Sequence, residues 1–70
     1  MEPTEREETF VDRMVYERRD LATKAKKLEE FINSEVFDSL SKQKRILLSQ
    51  QLALMIAYDG ILLKRIELEK

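Results

Sequence analysis

Two rows of apolar side chains run along residues 42–68, and they constrain the fold more than any other feature of the sequence. The first row holds Leu48, Leu52, Met55, Leu62 and Ile66, and the second holds Leu47, Leu54, Tyr58, Ile61 and Leu68. Together they cover more than half the circumference of a helix, whereas one antiparallel partner helix covers an arc of roughly 100°. Leaving a whole row in water would forgo about 1.5 to 3 kcal/mol for each large side chain. The pattern therefore predicts that another chain covers the second row.

The segment before residue 34 shows a single apolar stripe and is predicted to be the partner helix. The stripe alternates between spacings of three and four and contains Val11, Met14, Leu21, Ala25, Leu28 and Ile32, with Arg18 in one of its places. Thr9 followed by Asp12 resembles a capping box, so the helix is expected to begin near Phe10. It should end at about Asn33, which is a good turn former.

Residues 34–40 are predicted to form a short turn tucked against the hairpin, with Phe37 as the plug between the helices. Ser41 resembles the N-cap of a second helix, which is expected to run from Lys42 to about Leu68. Gly60 lies in the middle of that helix and costs about 1 kcal/mol there relative to Ala. Either another helix or a ligand approaches closely at Gly60, or the glycine is a tolerated weak spot.

The composition favours amphipathic helices whose core within one chain is too small for a stable fold. Hydrophobic residues make up 43% and charged residues 39% of 70 residues, with one Gly and one Pro, which is typical of amphipathic helices. A core this small is rarely stable alone, and without Cys or His the chain has no disulfide and no thiolate or imidazole metal site. We therefore expect an all-α, antiparallel two-helix hairpin with a short connecting turn that assembles as a homo-oligomer. Residues 1–8 are expected to be a flexible acidic N-terminus, and residues 9–70 the helical-hairpin domain.

Charge and hydropathy argue against two classes of partner. With a net charge of −1, the chain as a whole is not expected to attract a nucleic-acid polymer electrostatically. The polar stretch from Met1 to Glu8 has the character of neither a signal peptide nor a membrane anchor. No stretch is expected to approach the roughly 18 to 20 apolar residues that span a bilayer, so we expect no membrane partner and a cytoplasmic protein.

The sequence offers no catalytic constellation. Without His or Cys a nucleophilic triad is not possible, and the carboxylates are scattered over faces that are expected to be solvated, so we expect no enzyme activity and no catalytic residue. The acidic residues of the turn region lack the ligand spacing and the glycine of a calcium loop. They are Glu29, Glu30, Glu35 and Asp38. No metal and no cofactor is expected.

Basic side chains cluster on several faces of the first helix, and two interpretations of them stay open. The cluster contains Arg18, Arg19, Lys24, Lys26 and Lys27. One interpretation is a solvated face with intrahelical pairs, Asp20 with Lys24 and Glu17 with Arg13. The other is phosphate binding, in which an aromatic ring, Phe10 or Tyr16, stacks on a base. In a symmetric oligomer two copies of each group would converge on a ligand that is itself two-fold symmetric.

The combination of a lysine pair, a Phe-x-x-Leu turn and a Met-x-x-Tyr helix is unusual and extends over residues 9–68. Its members are Arg13, Met14, Val15, Glu17, Leu21, Lys24, Lys27, Leu28, Phe31, Ile32, Phe37, Leu40, Leu47, Leu48, Gln51, Leu52, Met55, Tyr58, Ile61, Leu62, Arg65 and Ile66. This pattern resembles a family of short bacteriophage proteins, the anti-CBASS cyclic-nucleotide sponges, whose helical-hairpin domain is shared with sponges against the Thoeris system.

The resemblance implies a function in phage immune evasion. Such a protein is a homohexamer in the host bacterial cytoplasm that binds cyclic dinucleotides such as 3′,3′-cGAMP, and cyclic trinucleotides, between its protomers. It sequesters these second messengers without cleaving them and so blocks CBASS-type defence signalling.

The resemblance also implies a set of ligand-binding residues. Phe10 matches an aromatic residue that stacks on the base, although the family has Tyr there, so stacking is kept and a hydroxyl contact is lost. Lys24 matches a lysine that meets the phosphate, with Lys27 as the alternative. Arg65 matches an arginine of a separate trinucleotide site. Arg13 and Lys26 complete the candidate ligand-binding residues. The alternative to a sponge is a non-enzymatic adaptor or structural oligomerisation module, in which the second apolar row docks a different protein.

Overall fold

The computed structural model describes residues 9–69, and these form three helices joined by short connections. They are α1 (Phe10–Ile32), α2 (Glu35–Asp38) and α3 (Lys42–Leu68), and no strand occurs among the described residues. The two long helices pack side by side as an antiparallel hairpin. The predicted all-α hairpin is therefore confirmed, and its helix boundaries agree with the expected ones to within a residue. The predicted flexible N-terminus, residues 1–8, lies outside the described part of the chain.

Side-chain caps fix where the long helices begin. The Asp12 backbone N–H donates to the Thr9 hydroxyl at 3.1 Å, and the Thr9 N–H donates to the Asp12 carboxylate at 3.3 Å. This is the capping box that the sequence predicts, and it satisfies two amide donors that the helix itself leaves free. At the start of α3 the hydroxyl of Ser41 accepts from the N–H of Lys44 at 3.2 Å, so the predicted N-cap is also confirmed.

The connection contains one helical turn of its own. The Ser34 hydroxyl accepts from the N–H of Phe37 at 3.4 Å and caps the start of α2, where the sequence predicts only a turn. Phe37 is half-buried, and its ring meets Phe31 edge to face with 6.3 Å between the ring centroids. Phe37 thus packs against Phe31 of α1, but a half-buried ring does not fill the space between the long helices as the predicted plug would.

The core of the protomer is small and lies toward the end of the hairpin away from the turn. Among residues 9–69 the buried hydrophobic side chains are Met14, Leu62 and Ile66, with Val11 and Leu21 packed against them. The first apolar row of α3 faces α1 as predicted, since its members are buried or half-buried. The exposed fractions of the second row are 57% for Leu47, 70% for Leu54, 40% for Tyr58, 55% for Ile61 and 82% for Leu68. One protomer therefore leaves this row uncovered.

Helix α3 is long and apolar enough, by length and composition, to cross a membrane, with a mean hydropathy of 1.6 over its best 18 residues. The expectation that no stretch approaches such a span is wrong for this helix, because the two apolar rows together leave few polar positions. Three of those positions carry Gln50, Gln51 and Asp59, and polar groups are costly in lipid. Their presence favours packing against other helices over contact with lipid.

Candidate functional site

A bidentate ion pair joins the two long helices near the buried core. The guanidinium of Arg18 donates two hydrogen bonds to the carboxylate of Asp59. Nε donates to Oδ1 at 2.7 Å, and Nη2 donates to Oδ2 at 3.1 Å. The hydrogen bond from Arg18 lowers the pKa of Asp59, and the same bond raises the pKa of Arg18. Both side chains keep about a third of their surface exposed, at 34% and 32%. Arg18 interrupts the apolar stripe of α1 because Asp59 is its partner on α3.

A second polar contact lies beside this pair. The Tyr58 hydroxyl donates a hydrogen bond to the Glu17 carboxylate, and this bond is the main reason that the pKa of Tyr58 is raised. The charge of Arg65 opposes this rise in the pKa of Tyr58. Arg65 follows Tyr58 by seven positions, so it lies two turns along nearly the same face of α3. Glu17 is therefore engaged across the interface. The predicted intrahelical pairs of Glu17 with Arg13 and of Asp20 with Lys24 do not form among the described residues.

The candidate ligand-binding residues are exposed and fall into two groups along the hairpin. Phe10, half of whose surface is exposed, lies with Arg13 on the first turns of α1, at the end where α3 carries Arg65. Lys24 follows Phe10 by 14 positions, which is about 21 Å along the helix axis at about 1.5 Å per residue. The structure thus brings Phe10, Arg13 and Arg65 to one end of the protomer and does not bring them to Lys24.

The three lysines of α1 point in different directions. At about 100° per residue, Lys24 lies within about 60° of Phe10 and Arg13, whereas Lys26 faces nearly the opposite way from Lys24. Lys27 lies between them on the outer surface. Within one protomer, Lys24 and Lys26 cannot contact the same phosphate from one face of the helix.

The side of the hairpin that carries Lys24 also holds an open depression of about 480 Å³, which we call the lateral groove. Its lining consists of Leu21, Leu47, Gln50, Gln51, Leu54, Met55 and Tyr58. Lys24 follows Leu21 by three positions, so it lies one turn along the same face of α1. The volume is in the range of small-molecule sites, about 300 to 1,000 Å³. An apolar floor with a lysine one turn further along α1 suits a ligand that has both aromatic and anionic parts.

The polar residues of this groove are not among the site residues predicted from the sequence. Gln50 and Gln51 offer amide donors and acceptors that can match the edge of a base, and Tyr58 offers a ring for stacking. The sequence does carry a signal, because Gln50 and Gln51 lie between two apolar segments in the middle of α3. Among residues 9–69 no three acidic side chains converge into a group that could hold a metal ion.

The fold and these surfaces define a class: a small helical-hairpin protein whose exposed cations and shallow apolar grooves suit binding. A family model described as Sequestin matches residues 8–68. The chain belongs to the Sequestin family, whose name denotes sequestration, and this match agrees with the resemblance to phage cyclic-nucleotide sponges. No curated protein and no solved structure matches the chain.

Proposed function

We propose that this protein is a phage immune-evasion sponge that sequesters cyclic di- and trinucleotide second messengers in the host bacterial cytoplasm and leaves them intact. The observation that carries the proposal is the Sequestin match, which spans both long helices. Sequestration needs a stoichiometric binding protein without a catalytic step. By holding messengers such as 3′,3′-cGAMP away from their effectors, the protein would block CBASS-type signalling.

The positions of the candidate residues support ligand sites between protomers. A base stacked on Phe10 and a phosphate bound to Lys24 of the same chain would be about 21 Å apart, which is far more than a base and its own phosphate allow. One protomer therefore supplies the stacking ring and another supplies the lysine. Association of protomers would bury the exposed second row of α3, which favours assembly, and we propose that the assembly is a homohexamer.

Binding without cleavage is consistent with the groups present. Hydrolysis of a phosphodiester requires an activated nucleophile and usually a general base or a metal ion. The chain has neither His nor Cys, and its interhelical carboxylates, Glu17 and Asp59, are occupied by Tyr58 and Arg18. The lysines and arginines can hold a phosphate by charge-assisted hydrogen bonds, which are reversible.

The exposed second row of α3 also favours a different candidate, an adaptor whose apolar face docks another protein. A sponge gains thermal stability when a cyclic dinucleotide binds its folded form, whereas an adaptor does not. A thermal unfolding scan with and without 3′,3′-cGAMP therefore distinguishes the two candidates.

Titration calorimetry of two variants tests the proposed residue roles. Lys24→Ala should weaken binding of 3′,3′-cGAMP by on the order of 10² to 10⁴, because a charged hydrogen bond contributes about 1.5 to 3 kcal/mol and a symmetric ligand meets two copies. Phe10→Ala should weaken binding by about 1 to 3 kcal/mol per stacked base. Lys64→Ala, an exposed lysine of α3, is the matched control and should bind normally. Unchanged affinity in both test variants and in Lys27→Ala would refute these roles.

A further inference from the structure

A third face of α3 is exposed, on the side that neither α1 nor the second row occupies. Its positions are separated alternately by four and by three residues, which is the spacing of a coiled-coil seam. At about 100° per residue, this face, the second row and the row that packs against α1 lie roughly 120° apart around the helix. We call this face the third stripe. Between its two ends it contains Ile46, Ser49, Ala53, Ile56, Gly60 and Leu63.

The third stripe has no cover within the described part of one protomer. The exposed fractions of its large side chains are 46% for Ile46, 61% for Ile56 and 38% for Leu63. A Cβ added at Gly60 meets nothing within 4 Å, so no other part of the described chain lies against the stripe there. A helix that is apolar on every side is normally buried on every side. Because α1 covers one face of α3 only, the third stripe needs a contact of its own.

Opposite charges end the third stripe, and each has the sign that its own end of the helix disfavours. Lys42 is the first residue of α3 and Glu67 is the last but one, and both are exposed. A helix carries partial positive charge at its N-terminus and partial negative charge at its C-terminus, so both side chains are placed unfavourably within their own helix. Beside an antiparallel copy of α3, Lys42 would lie at the partner's C-terminus and Glu67 at the partner's N-terminus. Both charges would then be favourable.

The third stripe is complementary to itself when two copies run in opposite directions. We propose that α3 of one protomer pairs antiparallel with α3 of a second copy, about a two-fold axis between Ala53 and Ile56. Such a contact uses the same surface on both copies, so every pair of facing residues occurs twice. The pairs are Lys42 with the partner's Glu67, Ile46 with the partner's Leu63, Ser49 with the partner's Gly60, and Ala53 with the partner's Ile56.

The charges select both the direction and the register of this pairing. A parallel pair would place the two copies of Lys42 together and the two copies of Glu67 together, which is repulsive. An antiparallel pair shifted by one heptad would leave two positions at one end of each stripe without a partner. The proposed register gives every position a partner. It also places a small residue, Ser49, Ala53 or Gly60, in each central pair, so the two helices can approach closely.

A shallow depression at the turn end of the hairpin gives room for the partner helix. It has a volume of about 450 Å³, and its border includes Phe37 together with Lys42, Ile46 and Ser49 of the third stripe. In the proposed register the partner's Leu63 lies over Ile46 and fills part of this space. The depression is therefore expected to be covered in the assembled protein.

Pairing through the third stripe supplies a second kind of contact between protomers. A single two-fold contact stops at a dimer, so a closed assembly of six copies with dihedral symmetry requires a second, different contact. The second row of α3 provides one contact and the third stripe provides the other. This inference rests on the proposed assembly and not on the ligand, so it can fail while capture of cyclic nucleotides holds.

Disulfide cross-linking of the full chain tests the register. The sequence contains no cysteine, so Ser49→Cys and Gly60→Cys introduced together provide the only thiols. The two positions are 11 residues apart, about 16 Å along their own helix, which is too far for a disulfide within one chain. Mild oxidation of the double variant should therefore give covalent dimers on a non-reducing gel, and either single variant should give few. Dimers that form as readily from Ser49→Cys alone would overturn the pairing, as would a double variant that keeps its helices by circular dichroism and forms none.

Charge reversal is a second test that does not weaken α3 itself. Lys42→Glu and Glu67→Lys each improve the match to the helix dipole but place like charges together in the proposed contact. Each should raise the protein concentration needed for assembly by roughly ten-fold at low salt, because exposed ion pairs are individually weak but two are reversed in every contact. The variant with both changes restores opposite charges and should assemble like the wild type. Lys44→Glu, in the same turn but on another face, is the control and should have no effect.

Light scattering on dilution measures these differences. Single variants that assemble like the wild type, or a double variant that assembles no better than they do, would overturn the pairing and leave the proposed function standing if the wild type binds 3′,3′-cGAMP. Cross-linking and charge reversal as expected, with no binding of any cyclic nucleotide, would support the pairing and overturn the proposed function alone.

Discussion

Arg18 shows how a single residue can break a pattern for a structural reason. It occupies a place in the apolar stripe of α1, and the sequence alone gives no partner for it, because Asp59 lies 41 positions later. The bidentate pair fixes the register of the two helices beside the small core of Met14, Leu62 and Ile66. The partner of a charged residue depends on which turns of the two helices face each other. The spacing of apolar residues shows which face of each helix is buried, but it does not show which turn of α1 lies opposite which turn of α3.

The pair makes stability depend on pH in a defined direction. Arg18 holds the pKa of Asp59 below its ordinary value of 3.8, so the unfolded state binds more protons than the folded state in the acid range. The stabilisation is present above that value and is lost as the pH falls through the folded-state pKa. Urea unfolding followed by circular dichroism should show this loss in the wild type, and a smaller one in Asp59→Asn. Equal acid sensitivity in the two proteins would contradict the role of Asp59.

The elements of this fold follow from local sequence signals, with the exception of the turn. Caps at Thr9 and Ser41 and the spacing of apolar residues predict both long helices closely, because these signals act within a few residues. The one-turn helix α2 was not predicted, since four residues show no helical periodicity. The lateral groove was not predicted either, because it depends on how α1 and α3 lie against each other.

The aromatic pair of the turn has a measurable effect on stability. Phe37→Ala should destabilise the protein by roughly 1.5 to 3 kcal/mol, less than the 3 to 5 kcal/mol of a fully buried ring, because Phe37 is half-buried but loses its edge-to-face contact with Phe31. Chemical denaturation measures the difference. Val36→Ala, at an exposed position of the same turn, is the control. A change of only a few tenths of a kcal/mol in Phe37→Ala would show that the ring does not hold the turn.

A substitution at Gly60 distinguishes a close approach of another helix or ligand from a tolerated weak spot in α3. A Cβ added there meets nothing within 4 Å in the protomer, so Gly60→Ala should stabilise an isolated hairpin by about 1 kcal/mol through helix propensity. Thermal unfolding of Gly60→Ala gives the sign. Destabilisation would mean that another protomer or a ligand approaches this face closely, and it would locate a contact that a single chain does not display.

One protomer buries few of its apolar side chains and leaves a whole row of them exposed. Three buried hydrophobic side chains among the described residues are a small core for two helices of 23 and 27 residues, and the second row of α3 remains exposed. The sequence predicted this imbalance because it depends only on how far the apolar arc extends around α3. The symmetry of the assembly could not be derived in the same way, since several packings cover the same row.

A substitution at Leu54 tests the assembly with little effect on the protomer. Its side chain is 70% exposed within one chain, so Leu54→Asp should cost a monomer little but should place a charge in the contact between chains. Light scattering should show the wild type at several times the 8.3 kDa chain mass and the variant at a lower mass. Thr23→Asp, at an exposed position of α1, should leave the mass unchanged. A wild type that remains monomeric at micromolar concentration would refute the assembly.

Recovery of bound ligand tests whether the protein captures a cyclic nucleotide without changing it chemically. The protein is incubated with 3′,3′-cGAMP and with a cyclic trinucleotide, separated from free ligand, denatured by heat, and the released nucleotide is identified by mass spectrometry. We expect the nucleotide to be retained in proportion to protein and released with its original mass. Release of linear products, or no retention of any cyclic di- or trinucleotide at micromolar concentrations, would contradict it.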